Sequence, residues 1–326
     1  MKGSTKTRLL LVWLVPKWTA IAALLVVVAL VPELFPTFFA SSIGVQTLVL
    51  GIAAASLVFL NAVVGMVSLA QTALYGIAAY TAAKLAVEQG VDPWLSGLIG
   101  LAITTAIGLT FGAIVSRSEG IYFLMITLAF AVITYYFFSQ VTAFGSHEGI
   151  NNVQPPSLLG NPFVNPTGMY YAGLACSVLV FLLIRNIRRT PFGYALQGVR
   201  DQPERSRALG FSVPLLRTLG FAVGAFIAGI GGVLSAWYNG NISPGSIDLI
   251  RTIDLLVIAV VGGLGRLEGA WIGALLFTLL DTYSPAFTAR FETAIGLAFL
   301  AVVFISPGGL AGVLAGLDRR IRHRLE

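Results

Sequence analysis

Gln71, Thr72 and Tyr75 are the residues whose types and spacing point most directly to a ligand. Offsets of three and four residues place them on one face of a helix. Around them the chain is Ala, Leu, Gly and Ile, with Ser68 just upstream and Gln46, Asn61 and Tyr80 in the flanking apolar runs. Amides, hydroxyls and a phenol can hydrogen-bond a polar solute, but without a base beside them they do not break bonds. Ser68, Gln71, Thr72 and Tyr75 are therefore candidates to line a translocation path; hydrogen bonding between helices accounts for the same residues equally well. Asp254 joins the candidates. An acid at the centre of a bilayer costs about 3 kcal/mol, so it calls for a partner or an aqueous path. Asp281 raises the same question, whereas Asp248 reads as interfacial.

The chemistry of the usual enzyme classes is missing from the sequence. There is no phosphate loop of the G-x-x-x-x-G-K-[ST] form, so ATP is not hydrolysed by this chain. `HEGIN` at 147–151 lacks the second histidine of a zinc-protease helix, and `GGLGRLEG` at 262–269 follows an apolar run, not a strand. His147 and His323 lie far apart, so no metal centre is expected. Cys176 is the single cysteine, which excludes an intrachain disulfide. No Ser or Cys sits beside a His that would activate it. The reading is a non-enzyme with no cofactor of its own.

The elements that must hold these residues follow from composition. Of 326 residues, 57% are hydrophobic and 10% charged, and the mean hydropathy is +0.88. A soluble domain is about 25% charged, so the chain reads as an all-α polytopic membrane protein. A core of about 30 Å takes about 20 helical residues, and ten apolar runs qualify, near 18–36, 43–64, 66–87, 94–115, 120–141, 168–185, 215–238, 252–264, 270–286 and 291–306. The first is read as a retained helix, because `VPELFPTFF` follows it in place of a cleavage site. The eighth is short enough to be a half-helix or re-entrant segment. With the N-terminus inside, threading the ten spans puts 17 of the 20 basic residues on the cytoplasmic side, leaving Lys84, Arg251 and Arg290 outside. That asymmetry is the positive-inside pattern. It explains the net charge of +6 without nucleic acid, and it places both termini in the cytoplasm. Residues 144–168 then form an outward loop. Residues 186–214 form an inward one, carrying Arg188, Arg189, Arg200, Arg205 and Arg207 against Asp201 and Glu204. In that loop Pro203 and Gly210 bracket a short helix, with Glu204 early, where the helix dipole favours an acid.

Several stretches together resemble a family. `NAVVGMVSLAQTALYGIAAYTAA` (61–83) is similar to the signature of LivM-type permeases, the second membrane subunit of branched-chain amino acid ABC importers; Gly65, Val67, Ser68, Leu69, Gly76, Ala79 and Tyr80 match it. Ala70 replaces the signature's second Gly, and Gln71 stands where His or Asn is often found. `EGIYFLMITLAFA` (119–131), `TPFGYALQGVRDQPERSRALGFSV` (190–213), residues 231–277 and `FISPGGLAGVL` (304–314) continue the likeness in order from about residue 40.

The resemblance implies a type II ABC importer permease fold in a bacterial inner membrane. It also implies a homologous second permease as heterodimer partner, two cytoplasmic ATPase subunits that use the ATP, and a periplasmic binding protein that delivers a small polar solute such as a branched-chain amino acid. It makes 186–214 the loop that couples to the ATPase, through Arg200, Asp201, Glu204, Arg205, Arg207, Ala208 and Gly210. The halves 43–141 and 215–306 lend themselves to inverted repeats of five spans each. One departure bears on cargo: `AFGSHEGINN` keeps only Gly145, Ser146 and Gly149 of a usual glycine-rich element. Urea, short amides, aromatic acids and nucleosides therefore stay open as substrates. A secondary transporter or channel working without an ATPase is the competing reading.

Overall fold

The computed structural model describes residues 39–157 and 166–287, with isolated positions at 32 and between 293 and 312. The expected first and tenth spans and both termini fall outside those residues, apart from isolated positions, as do residues 158–165 of the outward loop.

The chain is helical from Phe39. Helix α1, Gln46–Phe59, is continued by π-helical turns at Phe39–Val45 and Leu60–Val64. Gly65 ends it in the left-handed conformation (φ 82°), and the Met66 amide donates back to the Leu60 carbonyl at 3.1 Å. The apolar run predicts a helix from residue 66, but α2 spans Gln71–Glu88 and residues 65–70 are irregular. Local pairings win there. The Ser68 hydroxyl accepts the Ala70 amide at 3.1 Å, the type of side-chain bond that competes with helix formation.

Helix α3, Pro93–Val115, starts where Asp92 accepts the Trp94 amide at 2.8 Å with Pro93 in the first turn. Helix α4 is Gly120–Gln140 and α5 is Pro166–Ile187. Two short helices make the inward loop, α6 (Pro191–Asp201) and α7 (Pro203–Ala208). Helix α8, Val213–Asn239, is followed by α9 (Leu249–Gly262) and α10 (Gly269–Phe287). On the side expected to face outward β1 (Ile150–Asn151) pairs antiparallel with β2 (Asn241–Ile242), matching Ile150 to Ile242.

Among the described residues five helical stretches are long and apolar enough to cross a bilayer: 43–64, 93–115, 120–140, 167–187 and 213–239. The protein is an all-α, multi-pass membrane protein. Helix α9, at 14 residues, rises about 21 Å and is too short for a core of about 30 Å. Helices α1 and α8 are mostly buried within the protein, whereas α3, α4 and α5 turn most of their surface outward. The outward side chains include Ile114, Ile121, Tyr122, Met125 and Ile133, which suits lipid.

Helix α8 is the axis on which the others stack, and glycine lets them come close. A Cβ on Gly232 would stand 2.0 Å from the Tyr75 carbonyl oxygen of α2, and one on Gly108 of α3 would stand 2.3 Å from Ala225 Cβ. Such backbone proximity is how helices gain packing energy in lipid. At the inward end Arg217 of α8, nearly buried, bonds Glu119 at 2.8 Å and ties the α3–α4 turn to α8.

Two outcomes follow. Gly232→Ala should destabilise the folded chain by about 1–3 kcal/mol through overpacking, seen as a lower thermal unfolding midpoint in detergent, whereas Gly265→Ala, with open space around it and no positive φ, should cost less. In a Cys176→Ala background, impermeant thiol reagent applied outside cells should label a cysteine at exposed Glu148 and spare one at exposed Gln202.

Candidate translocation site

The irregular segment 65–70 carries the polar candidates inside the protein. The Leu69 amide donates to Thr127 Oγ1 at 3.2 Å. Thr127 lies two turns, about 10 Å, from the start of α4, so α2 begins within the depth of the spans, not at their edge. Ser68 is fully buried in the irregular segment and not on a helix face. Gln71 is 1% exposed, and neither polar atom of its amide has a partner among the described residues; Thr72 is 5% exposed with its hydroxyl equally unpaired. Each buried polar group left unpaired costs roughly 1–3 kcal/mol. Tyr75 points to α8, where Ser235 hydrogen-bonds it. Gly76 faces Ile247, in the segment that leads into α9. The structure thus brings Ser68, Gln71, Thr72 and Tyr75 to one buried locus. Asp254 sits apart on α9, its carboxylate 3.5 Å from Arg251.

A second discontinuity lies across the protein. Pro244–Ser246 forms a 3-10 turn, and α9 begins after Asp248, whose carboxylate accepts the Arg251 amide at 2.8 Å. A cavity of about 300 Å³ lined by Ala131, Tyr135 and Tyr136 of α4 together with Asp248 and Thr252 sets this start one or more turns inside the outward end of α4.

The inward loop touches the first discontinuity directly. Arg200, next to last in α6, donates through Nη1 to the Ala62 carbonyl, one of the carbonyls that the end of α1 leaves open. Its stem lies against Gly65, where a Cβ would stand 2.4 Å from Arg200 Cγ. Gly65 is thus required twice, by its positive φ and by this approach. Arg200 Nε also bonds Asp201 at 2.7 Å, and that hydrogen bond holds the Asp201 carboxyl below the ordinary carboxylate range. A depressed carboxyl keeps its contribution at all pH above its ordinary value and loses it only as pH falls through the lowered one. The Asp201 carboxylate therefore stays charged at neutral pH. Leu196 of α6 is fully buried, beside Gly220 of α8. Asn61 extends the anchorage by donating to the Leu264 carbonyl at 3.1 Å, in the turn between α9 and α10.

Beyond Arg200 the loop faces outward from the helical body. Glu204 pairs with Arg207, which also lies 3.8 Å from Glu119. Arg205 and Ala208 are exposed, and Gly210 takes φ 88° with its amide donating to the Arg207 carbonyl at 2.9 Å. The bracketed short helix forms as α7. Sequence reasoning missed three exposed apolar side chains beside these charges, Tyr194, Leu209 and Phe211. Their signal was available: large apolar residues within the most arginine-rich loop of the chain.

A family model described as the branched-chain amino acid transport system / permease component matches residues 39–306. The chain belongs to this permease family. It is 27% identical over 214 residues to the high-affinity branched-chain amino acid transport system permease protein LivM of Salmonella typhimurium, covering 57% of this chain and 50% of that one. It is 28% identical over 214 residues, with the same coverage, to the LivM of Escherichia coli. A probable branched-chain amino acid transport permease protein LivM of Methanocaldococcus jannaschii is 27% identical over 150 residues, covering 45% and 42%. The chain spans about half the length of the curated relatives it matches. No solved structure matches it. The matched region of this permease contains both discontinuities and the whole inward loop.

Arg200→Ala should leave the permease folded and inserted, and lower its thermal unfolding midpoint in detergent by a few degrees. Gly65→Ala should act in the same direction. Because both residues serve one contact, the double variant should be little worse than either single one; full additivity would show that they act separately.

Proposed function

We propose that this chain is a transmembrane permease subunit of an ATP-binding-cassette importer for a small polar solute, branched-chain amino acids first among them. The observation that carries this reading is the Arg200–Ala62 bond. It joins a polar loop on the expected cytoplasmic side to the end of α1, a few residues from the buried locus of Gln71 and Thr72. Force applied to the loop reaches that locus without a further relay. A secondary transporter has no need of a stiff, outward-facing pair of helices at this place.

The loop has the features of a docking surface. Arg205 and Glu204 offer charge-assisted contacts, and Tyr194 and Phe211 are side chains of the types that dominate interface energetics. The cytoplasmic ATPase, present in two copies, binds here, and a homologous second permease completes the path. A periplasmic binding protein docks on the outward face, near residues 144–157 and 241–248. The protein resides in the inner membrane with both termini in the cytoplasm, and it serves as a transport subunit without catalytic chemistry of its own.

Ten spans in two inverted halves fit the arrangement. Helix α1, the irregular segment 65–70 and α2 follow the same order as α8, the segment 240–248 and α9, with opposite directions through the membrane. In each half a long buried helix is followed by an irregular return and a helix that starts at depth, a pattern found where transporters hold their cargo.

The test is uptake of labelled leucine by vesicles that carry the chain with its permease partner, ATPases and binding protein. Uptake should require ATP on the ATPase side and the binding protein on the other. Equal uptake without ATP would make the chain a secondary transporter or a channel.

A further inference from the structure

We propose that the N-terminus of α2, with the Gln71 amide and the Thr72 hydroxyl, is the subsite that receives the carboxylate of the transported solute. This rests on the permease reading above and narrows its substrate class to carboxylic acids, amino acids included, over urea, amides and nucleosides.

Helix α2 has 18 residues and its N-cap, Ala70, has no side chain to close it. The Ala70 amide is taken by Ser68 and the Leu69 amide by Thr127, whereas the amides of Gln71, Thr72 and Ala73 have no acceptor among the described residues. Aligned amides and the helix dipole make such an end a site for negative charge. The second and independent observation is the side chains of that same turn. Gln71 is 99% buried and Thr72 95% buried, and their amide and hydroxyl are unpartnered among the described residues. Three backbone N–H groups, an amide and a hydroxyl therefore stand unpaired among the described residues in the first turn of α2, in a stretch of sequence without a basic residue from Trp18 to Ala83. Arg200 bonds Ala62 and Asp201, and Arg251 lies 3.5 Å from Asp254. A carboxylate takes these donors and brings the negative charge that the start of a helix favours. A neutral amide or urea brings no charge for that end to stabilise. The protein shows the same chemistry at α9, where the carboxylate of Asp248 closes the helix start.

The experiment titrates the full chain in lipid nanodiscs, without ATPase or binding protein, and follows its thermal unfolding midpoint. The probes are L-leucine, 4-methylpentanoate, which keeps the carboxylate and lacks the amine, and L-leucinamide, which lacks the carboxylate. Leucine and 4-methylpentanoate should stabilise the chain, and leucinamide should not. Gln71→Leu and the isosteric Thr72→Val should each weaken carboxylate binding roughly tenfold or more, the usual effect of losing a hydrogen bond to a charged group. Stabilisation by leucinamide equal to that by leucine, no stabilisation by either carboxylate, or unchanged affinity in both variants would overturn the assignment. The parent chain's preference among the probes decides the matter even where a variant fails to fold. ATP-independent uptake would sink the importer reading and leave this titration standing; a failed titration beside ATP-driven uptake would sink only the subsite.

Discussion

Residues 65–70 leave helical geometry within the depth of the membrane spans, where lipid supplies no hydrogen bonds and exposed backbone is forbidden. That constraint governs much of what surrounds them. The segment survives because protein encloses it: Thr127 takes the Leu69 amide, Ser68 takes the Ala70 amide, and the Leu60 carbonyl takes the Met66 amide. Arg200 reaches the Ala62 carbonyl from the inward loop. What these partners leave unmet is the first turn of α2, and there the chain concentrates its neutral polar side chains.

Enclosure on this scale requires helices to approach more closely than large side chains permit. Gly232 admits the backbone of α2 to α8, Gly108 admits α8 to α3, and Gly76 admits Ile247. The glycines therefore build the wall around the polar locus, and they explain why α1 and α8 are mostly buried while α3, α4 and α5 face outward. With the wall in place, unpaired donors are retained at depth instead of being solvated. The proposed subsite depends on that retention, because a donor already bonded to water or to a neighbouring helix offers a ligand little.

The proposed coupling rests on the same geometry. Helix α6 is anchored by buried Leu196 and by Arg200, so it belongs mechanically to the membrane body, whereas α7 and the exposed Tyr194, Leu209 and Phe211 belong to the surface. In that proposal a push on the surface would move α6, and α6 holds the end of α1. The flanking helices α5 and α8 would provide one route for motion; the Arg200 contact would provide a shorter one that ends a few residues from Gln71.

Much of this was legible in the sequence, for physical reasons. Hydropathy and the placement of arginines determined an all-α, multi-pass chain with an expected orientation, since burial in lipid acts on composition. Pro203, Glu204 and Gly210 determined a short helix in the inward loop, because capping is local. The grouping of Gln71, Thr72 and Tyr75 followed from helical spacing. What the sequence did not reveal is where α2 begins: the apolar run continues through residues 66–70, and only the partners supplied by Thr127 and Leu60 make an irregular path cheaper there than a helix. Ser68 accordingly sits in that path and not on the helix face expected of it. Asp254, grouped with the polar candidates by its charge, lies on α9 with Arg251. The junction of Arg200 with Ala62 and Gly65 joins residues more than a hundred positions apart. No local propensity encodes such a contact; only the tertiary structure, by stacking α6 under the end of α1, decides it.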